Sequence, residues 1–154
     1  MQLEQIVSHL TSDFDGLVET SSWGETSLFY NPDRELPRGV YFCTLKDHDG
    51  ANDKASDLDR EGVFRVSTGL PRDLYEERFG PLPERPGKGG MVDTGNDFTV
   101  IDILTPHPVY AWMGWVQVLS PTRDHFSELQ PLFRAAYRHT VDKYEKSVTR
   151  ARAG

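Results

Sequence analysis

The stretch VYAWMGWVQVL, residues 109–119, decides the fold because it is the most apolar strand candidate and leads into the longest helix candidate. Its two tryptophans, Trp112 and Trp115, differ in parity, so a strand would place them on opposite faces. One face is expected to pack on helices, and the other to line a concave surface. Burial of all these aromatic side chains in the core is the alternative.

The helix that follows begins at Ser120 or Thr122, since either side chain can cap a helix N-terminus, and it runs to about Ser147. Apolar residues recur through it at the helical spacing. Pro131 predicts a kink, or a first short helix before the main one.

Upstream of this stretch, the apolar periodicity predicts two more helices and three more strands. These are helices 1–17 and 72–79, and strands 18–30 (broken near Gly24), 39–46 and 63–69. Residues 97–104 are compatible with a strand or a short helix. The four glycines and three prolines of residues 81–96 indicate a loop.

This order of elements predicts the α+β class, with one antiparallel sheet of four to five strands and N-terminal, middle and long C-terminal helices. The length of 154 residues indicates a single domain. We assign it to residues 1–148 and expect residues 149–154 to form a frayed tail.

The charge is unevenly distributed along the chain. There are 17 Lys and Arg against 24 Asp and Glu, which gives a net charge of -7. Residues 122–154 hold seven basic and four acidic residues, or +3, so residues 1–121 carry -10. This balance disfavours general nucleic-acid binding and an anionic membrane surface, and leaves the C-terminal helix as the one basic element.

Cysteine content and the N-terminal sequence favour a cytoplasmic protein. The single cysteine, Cys43, cannot form an internal disulfide, and its apolar neighbours indicate a buried thiol. The N-terminus lacks the pattern of a signal peptide, and no apolar run is long enough to span a membrane. No phosphate-binding loop and no nucleophile elbow occur, so no cofactor is predicted.

Residues 47–61 contain six acidic residues and suggest a cation site at first sight. An EF-hand loop that began at Asp47 would have Ala51 at its fifth position and Leu58 at its twelfth, so the pattern fails. A solvated acidic loop is favoured, with a calcium site of another type left open. No transition-metal spacing occurs among the histidines and the cysteine.

His107 is the strongest candidate for acid–base chemistry. Pro106 and Pro108 flank it and would fix the direction of its imidazole ring. Asp102, or else Asp47, is the candidate carboxylate partner of a general base. A structural histidine that is hydrogen-bonded to the backbone is the simpler interpretation.

Aromatic and charged side chains on or beside the strands define a candidate ligand site. Such a site would suit a small polar or anionic molecule. Its candidate residues, besides His107, are Trp23, Lys46, Asp47, Arg65, Tyr110 and Trp115.

Three segments resemble an uncharacterised, mainly actinobacterial family of about this length. They are Trp23-Gly24 with Tyr30-Asn31-Pro32; Lys46-Asp47 with Ser56–Arg60 and Gly62–Arg65; and Asp97-Phe98 with Pro106–Tyr110 and Trp115-Val116. The order of elements is also similar to the MmcQ/YjbR type, which implies a curved antiparallel sheet. Proteins of that type have been suggested to bind DNA through wing loops, but the corresponding loops here are acidic or neutral.

The sequence thus supports three hypotheses. The first is a module that binds an unknown small molecule or protein. The second is a small enzyme with a His/Asp acid–base pair, and the third is nucleic-acid binding through the C-terminal helix.

Overall fold

A computed structural model describes residues 1–153, and six strands form a single antiparallel sheet in that range. The strands are β1 (Leu17–Ser22), β2 (Glu25–Tyr30), β3 (Val40–Lys46), β4 (Arg65–Gly69), β5 (Leu104–Pro106) and β6 (Trp115–Leu119). Their order across the sheet is β1-β2-β3-β4-β6-β5. The helices are α1 (Leu3–Asp13), α2 (Arg72–Phe79), α3 (Arg123–Glu128) and α4 (Gln130–Ala153). The α+β class is confirmed, but the sheet has six strands rather than four to five.

One additional strand comes from the predicted break near Gly24. Trp23 and Gly24 both have left-handed backbone angles, with φ 55° and 72°. Two such residues make the tight turn that matches the twist of a hairpin, so residues 17–30 fold into β1 and β2.

The stretch 109–119 forms a strand only in its last five residues, which corrects the prediction of one continuous strand. Residues 111–113 form a 3-10 turn, and Gly114 follows with φ 87°. A Cβ atom at Gly114 would lie 2.8 Å from the carbonyl oxygen of Leu70, so only glycine fits there. The turn separates Tyr110 from the strand that contains Trp115. Residues 97–103 lack regular structure, and only Leu104–Pro106 joins the sheet as β5.

The C-terminal helical region divides into two helices, as the second interpretation of Pro131 predicts. Thr122 caps α3, where its Oγ1 accepts the backbone N–H of His125 at 3.2 Å. Leu129 separates α3 from α4, and Pro131 lies in the first turn of α4, where its missing N–H costs no hydrogen bond. The helix α4 continues to Ala153, beyond the predicted end near Ser147. Fraying of the last residues stays a prediction.

One face of the sheet is apolar and packs against α1 and α4. A β-bulge in β3 places Phe42 on this face, where its ring centroid lies 5.2 Å from that of Phe14, just after α1, and 5.7 Å from that of Tyr137 of α4. Cys43 is fully buried beside it, and burial raises the pKa of its thiol, so the prediction of a buried thiol is confirmed. Other buried side chains here are Ile6, Leu10, Leu28, Leu45, Val66, Val118, Phe133 and Ala136.

The opposite face of the sheet carries mostly polar side chains, although loops shield it from solvent. Strand pairing puts Glu25, Lys46 and Arg65 in one cross-strand row. The next row along the strands is Ser27, Thr44, Ser67, Gln117 and Thr105. The loops that follow β3 and α2 cover this face, so most of these polar groups are buried and hydrogen-bonded to one another or to the loops.

Candidate functional site

A cavity of about 370 Å³ lies along the polar face of the sheet and extends past the strand ends to α4, which contributes His139, Thr140 and Lys143 to its lining. Its volume is near the lower end of the range of roughly 300–1,000 Å³ that is typical of small-molecule sites. The side chains that line it come from the strands, the loops and α4. They are Glu25, Val40, Tyr41, Thr44, Lys46, Asp53, Arg65, Gly69, His107, Tyr110, Met113, Trp115, His139, Thr140 and Lys143.

Arg65 is the centre of the polar part of the cavity and is only 2% exposed. Its guanidinium group donates to both carboxylate oxygens of Asp53, at 2.5 and 2.9 Å, and to Gln117 Oε1 at 2.7 Å. It also donates to Ser56 Oγ at 3.0 Å. Since Asp53 and Ser56 belong to the acidic loop, these bonds hold that loop against the sheet. Most N–H donors of Arg65 are therefore already hydrogen-bonded to protein groups, and few are left for a ligand.

The environment of Asp53 keeps its carboxyl group ionised. Burial alone would raise its pKa, but the hydrogen bonds and the charge of Arg65 outweigh burial and lower the pKa well below its usual value. Lys46 Nζ adds a contact at 3.3 Å. Asp53 and Arg65 thus neutralise each other inside the cavity.

His107 presents a single hydrogen-bond donor to the cavity. Its side chain is almost fully buried, and Nδ1 accepts the backbone N–H groups of Val109 and Tyr110 at 3.0 and 3.1 Å. A nitrogen that accepts two N–H groups carries no proton, so the proton of the neutral ring is on Nε2. Nε2 has no hydrogen-bond partner among residues 1–153, and it is not one of the fully buried atoms that lack a partner, so it is accessible from the cavity.

The imidazole ring of His107 is neutral at physiological pH. Burial and the nearby charge of Arg65 lower its pKa well below the usual value, and Asp53 opposes this only in part. A neutral ring with its proton on Nε2 acts as a hydrogen-bond donor, and it has no lone pair available for general base work.

Aromatic side chains form the other part of the cavity. The rings of Tyr41 and Trp115 meet edge to face, with centroids 6.5 Å apart. Gly69 pairs with Trp115 across the strands, and a Cβ atom at Gly69 would lie 2.8 Å from Trp115 Nε1. The absence of a side chain at Gly69 therefore leaves room for the indole ring. Tyr41, Tyr110 and Met113 remain 40–46% exposed, which puts them at the opening of the cavity.

Glu25 differs from the other acid in the cavity. Burial raises the pKa of its carboxyl group, and the charges of Lys46 and Arg65 only partly offset that effect. Its nearest cation is Lys46 Nζ at 3.9 Å, which is too long for a hydrogen bond. The carboxylate of Glu25 accepts no hydrogen bond from any residue that the structure describes.

The structure brings together five of the eight site residues that the sequence analysis selects. Lys46, Arg65, His107, Tyr110 and Trp115 all line the one cavity. They come from β3, β4, β6 and the segment that precedes β6.

The other three candidates lie elsewhere. Trp23 is 94% exposed at the tip of the β1–β2 hairpin. Asp47 is exposed, and its carboxylate lies 3.1 Å from Nδ1 of His48.

Asp102 is not hydrogen-bonded to His107. It accepts the backbone N–H of Thr122 at 3.0 Å and lies 2.8 Å from Nδ1 of His125, at the start of α3. Burial would raise its pKa, but these hydrogen bonds outweigh it and lower the pKa. Asp102 therefore stabilises the N-terminus of α3 and is not the carboxylate partner of His107.

Sequence reasoning missed Glu25, Tyr41 and Asp53. Strand pairing puts Glu25 opposite Lys46, so a correct hairpin register would have found it. Asp53 could not be distinguished from the five other acids of its loop, because its role depends on a contact with β4.

Residues 1–153 contain no group of three or more His, Cys, Asp or Glu side chains placed to hold a metal ion. Within the same range, no helix is both long and apolar enough to cross a membrane.

The fold and the cavity define a small α+β domain with a covered polar sheet face and a partly aromatic cavity on it. Residues 1–149 match the model of DUF6194, a family of unknown function, and the chain belongs to that family. No curated protein and no solved structure matches the chain.

Proposed function

We propose that the domain binds a small organic acid with a planar, apolar body in the cavity on the polar sheet face. The observation that carries this proposal is the neutral His107, whose Nε2–H is a donor without a protein partner. Such a donor is available to a ligand, and a carboxylate oxygen of the ligand would accept its hydrogen bond.

The charges around the cavity support an anionic ligand. Arg65 and Asp53 are paired, which leaves Lys46 and Lys143 against Glu25 among the remaining charged lining groups. Arg38 adds a guanidinium group 5.4 Å from the ring centroid of Tyr41, at the opening. This local excess of positive charge contrasts with the net charge of -7 for the whole chain.

The aromatic part of the cavity supports a planar, apolar body. Tyr41, Tyr110 and Trp115 provide ring faces and edges against which a flat group can pack. Polar groups in one part and aromatic groups in another are typical of sites that orient a small molecule.

A His–Asp acid–base enzyme has less support. It requires a carboxylate on Nδ1 of His107, but two backbone N–H groups occupy that atom. The similarity to MmcQ/YjbR proteins and a DNA-binding role stay predictions from the sequence.

The direct test is calorimetric titration of the protein with phenylacetate, and with 2-phenylethylamine as a cation of similar shape. Phenylacetate is expected to bind and to raise the melting temperature, because a ligand of the native state stabilises it. The amine should not bind. Absence of phenylacetate binding up to about 10 mM, or equal binding of both compounds, would contradict the proposal.

A matched pair of variants tests the role of His107. In H107N the amide oxygen can still accept the backbone N–H groups, but the Nε2–H donor is lost. We expect phenylacetate affinity to fall about tenfold, since a hydrogen bond to a charged group contributes roughly 1.5–3 kcal/mol. The control H9N changes an exposed histidine of α1 and should leave the affinity unchanged.

A further inference from the structure

Glu25 is the cavity group that a plain organic acid leaves unused. Asp53 is satisfied by Arg65 and Lys46, whereas Glu25 has its nearest cation at 3.9 Å and no hydrogen bond from the described residues. An ionised carboxylate is an acceptor only, so a ligand would have to supply a donor to it.

The position of Glu25 fixes where that donor lies on the ligand. Glu25 and Lys46 are directly paired across β2 and β3, and Lys46 is paired with Arg65 across β3 and β4. Neighbouring strands are about 5 Å apart, so the Glu25 carboxylate and the Lys46 ammonium group are neighbours. Lys46 uses one of its three N–H donors on Asp53 and keeps the others for a ligand. A ligand that contacts both needs its carboxylate and its donor on adjacent atoms.

We propose that Glu25 selects α-amino acids with a planar, apolar side group over the corresponding plain acids. The inference rests on the proposed function, since the carboxylate of the same ligand contacts Lys46 and His107. The ligand's α-ammonium group donates to Glu25, and its side group packs against Tyr41 and Trp115. An α-hydroxyl group would also donate, but without the charge that strengthens the bond.

The test compares three probes of one shape by calorimetry: phenylglycine in both enantiomers, mandelate and phenylacetate. The expected order of affinity is phenylglycine, then mandelate, then phenylacetate. At least one enantiomer of phenylglycine should bind about tenfold more tightly than phenylacetate, as a charge-assisted hydrogen bond would give. Equal or weaker binding of both enantiomers overturns the inference.

The variant E25Q assigns the preference to Glu25. It keeps the size of the side chain but removes its charge, so phenylglycine should lose its advantage while phenylacetate binds as tightly as before or more tightly. The control is E19Q, on the exposed part of β1, which should keep the wild-type order. A preference that survives in E25Q overturns the assignment.

The outcomes separate this inference from the proposal on which it rests. If phenylacetate binds and phenylglycine binds no better, the cavity is a site for plain acids and only the role of Glu25 fails. If phenylacetate does not bind, the proposed function itself fails. The wild-type comparison alone decides between these outcomes, even if E25Q does not fold.

Discussion

The two faces of the sheet are both covered, but by different parts of the chain and through different forces. The apolar face packs on α1 and α4 through rings and aliphatic side chains such as Phe42. The polar face is covered by loops, which are held by hydrogen bonds and by the Asp53–Arg65 ion pair.

This difference explains where the cavity lies. Apolar side chains fill space without regard to direction, so they can pack closely on the helix-covered face. Buried polar groups must meet partners at set distances and angles, and a loop that satisfies Arg65 and Gln117 leaves a space beside them. The cavity therefore lies beside the polar contacts, and α4 closes one side of it through His139, Thr140 and Lys143.

The largest expected effect is on the apolar face. The variant F42A removes a fully buried ring between Phe14 and Tyr137, and should lower the free energy of unfolding by about 3–5 kcal/mol. Urea denaturation measures this cost. A cost below about 1 kcal/mol would mean that this face is not the main apolar core.

The polar face should respond almost as strongly to D53N. This change leaves the buried Arg65 without its counter-ion, and we expect a loss of about 3 kcal/mol at pH 7. The control D47N alters an exposed acid of the same loop and should cost less than about 0.5 kcal/mol. Equal effects of the two changes would show that the loop is not held through Asp53.

The same pair predicts a pH dependence. Because the native pKa of Asp53 is lowered, its contribution is fully present above the unfolded value of about 3.9 and is lost as the pH falls through the native pKa. The wild type should therefore lose stability below about pH 4 more steeply than D53N does. Denaturation midpoints of the wild type and D53N, measured above and below about pH 4, check the sign of this pH dependence.

A smaller effect is expected at the N-terminus of α3. D102N keeps an oxygen acceptor and a residue type that tolerates φ 59°, but removes the negative charge beside His125. We expect a loss of about 0.5 kcal/mol and an unchanged affinity for phenylacetate. A large loss of phenylacetate affinity would show that Asp102 contributes to the ligand site.

The smallest effect is expected at the hairpin tip. W23N puts asparagine before Gly24 in a turn where both residues have positive φ, the arrangement that this dipeptide favours. Stability should stay within about 0.5 kcal/mol or rise slightly, and phenylacetate affinity should not change. Weaker binding would place Trp23 in the site.

The sequence predicts the apolar face better than the polar one. The apolar stripes of α1 and α4 and the cap at Thr122 follow from periodicity and local chemistry. The 3-10 turn at residues 111–113 was missed because Gly114 is required by the carbonyl of Leu70, a contact distant in sequence. His107 lines the cavity, and its role there stays a prediction; its Nδ1 partners could not be foreseen from the sequence, since they depend on the local turn.

The most direct test of the account is the ¹⁵N NMR spectrum of the His107 side chain, recorded with and without phenylacetate. We predict a neutral ring with its proton on Nε2, a pKa well below the usual value for histidine, and a shift of the Nε2–H signal as phenylacetate is added. A proton on Nδ1, a normal titration near pH 6.5, or an Nε2–H signal unaffected by phenylacetate would contradict it.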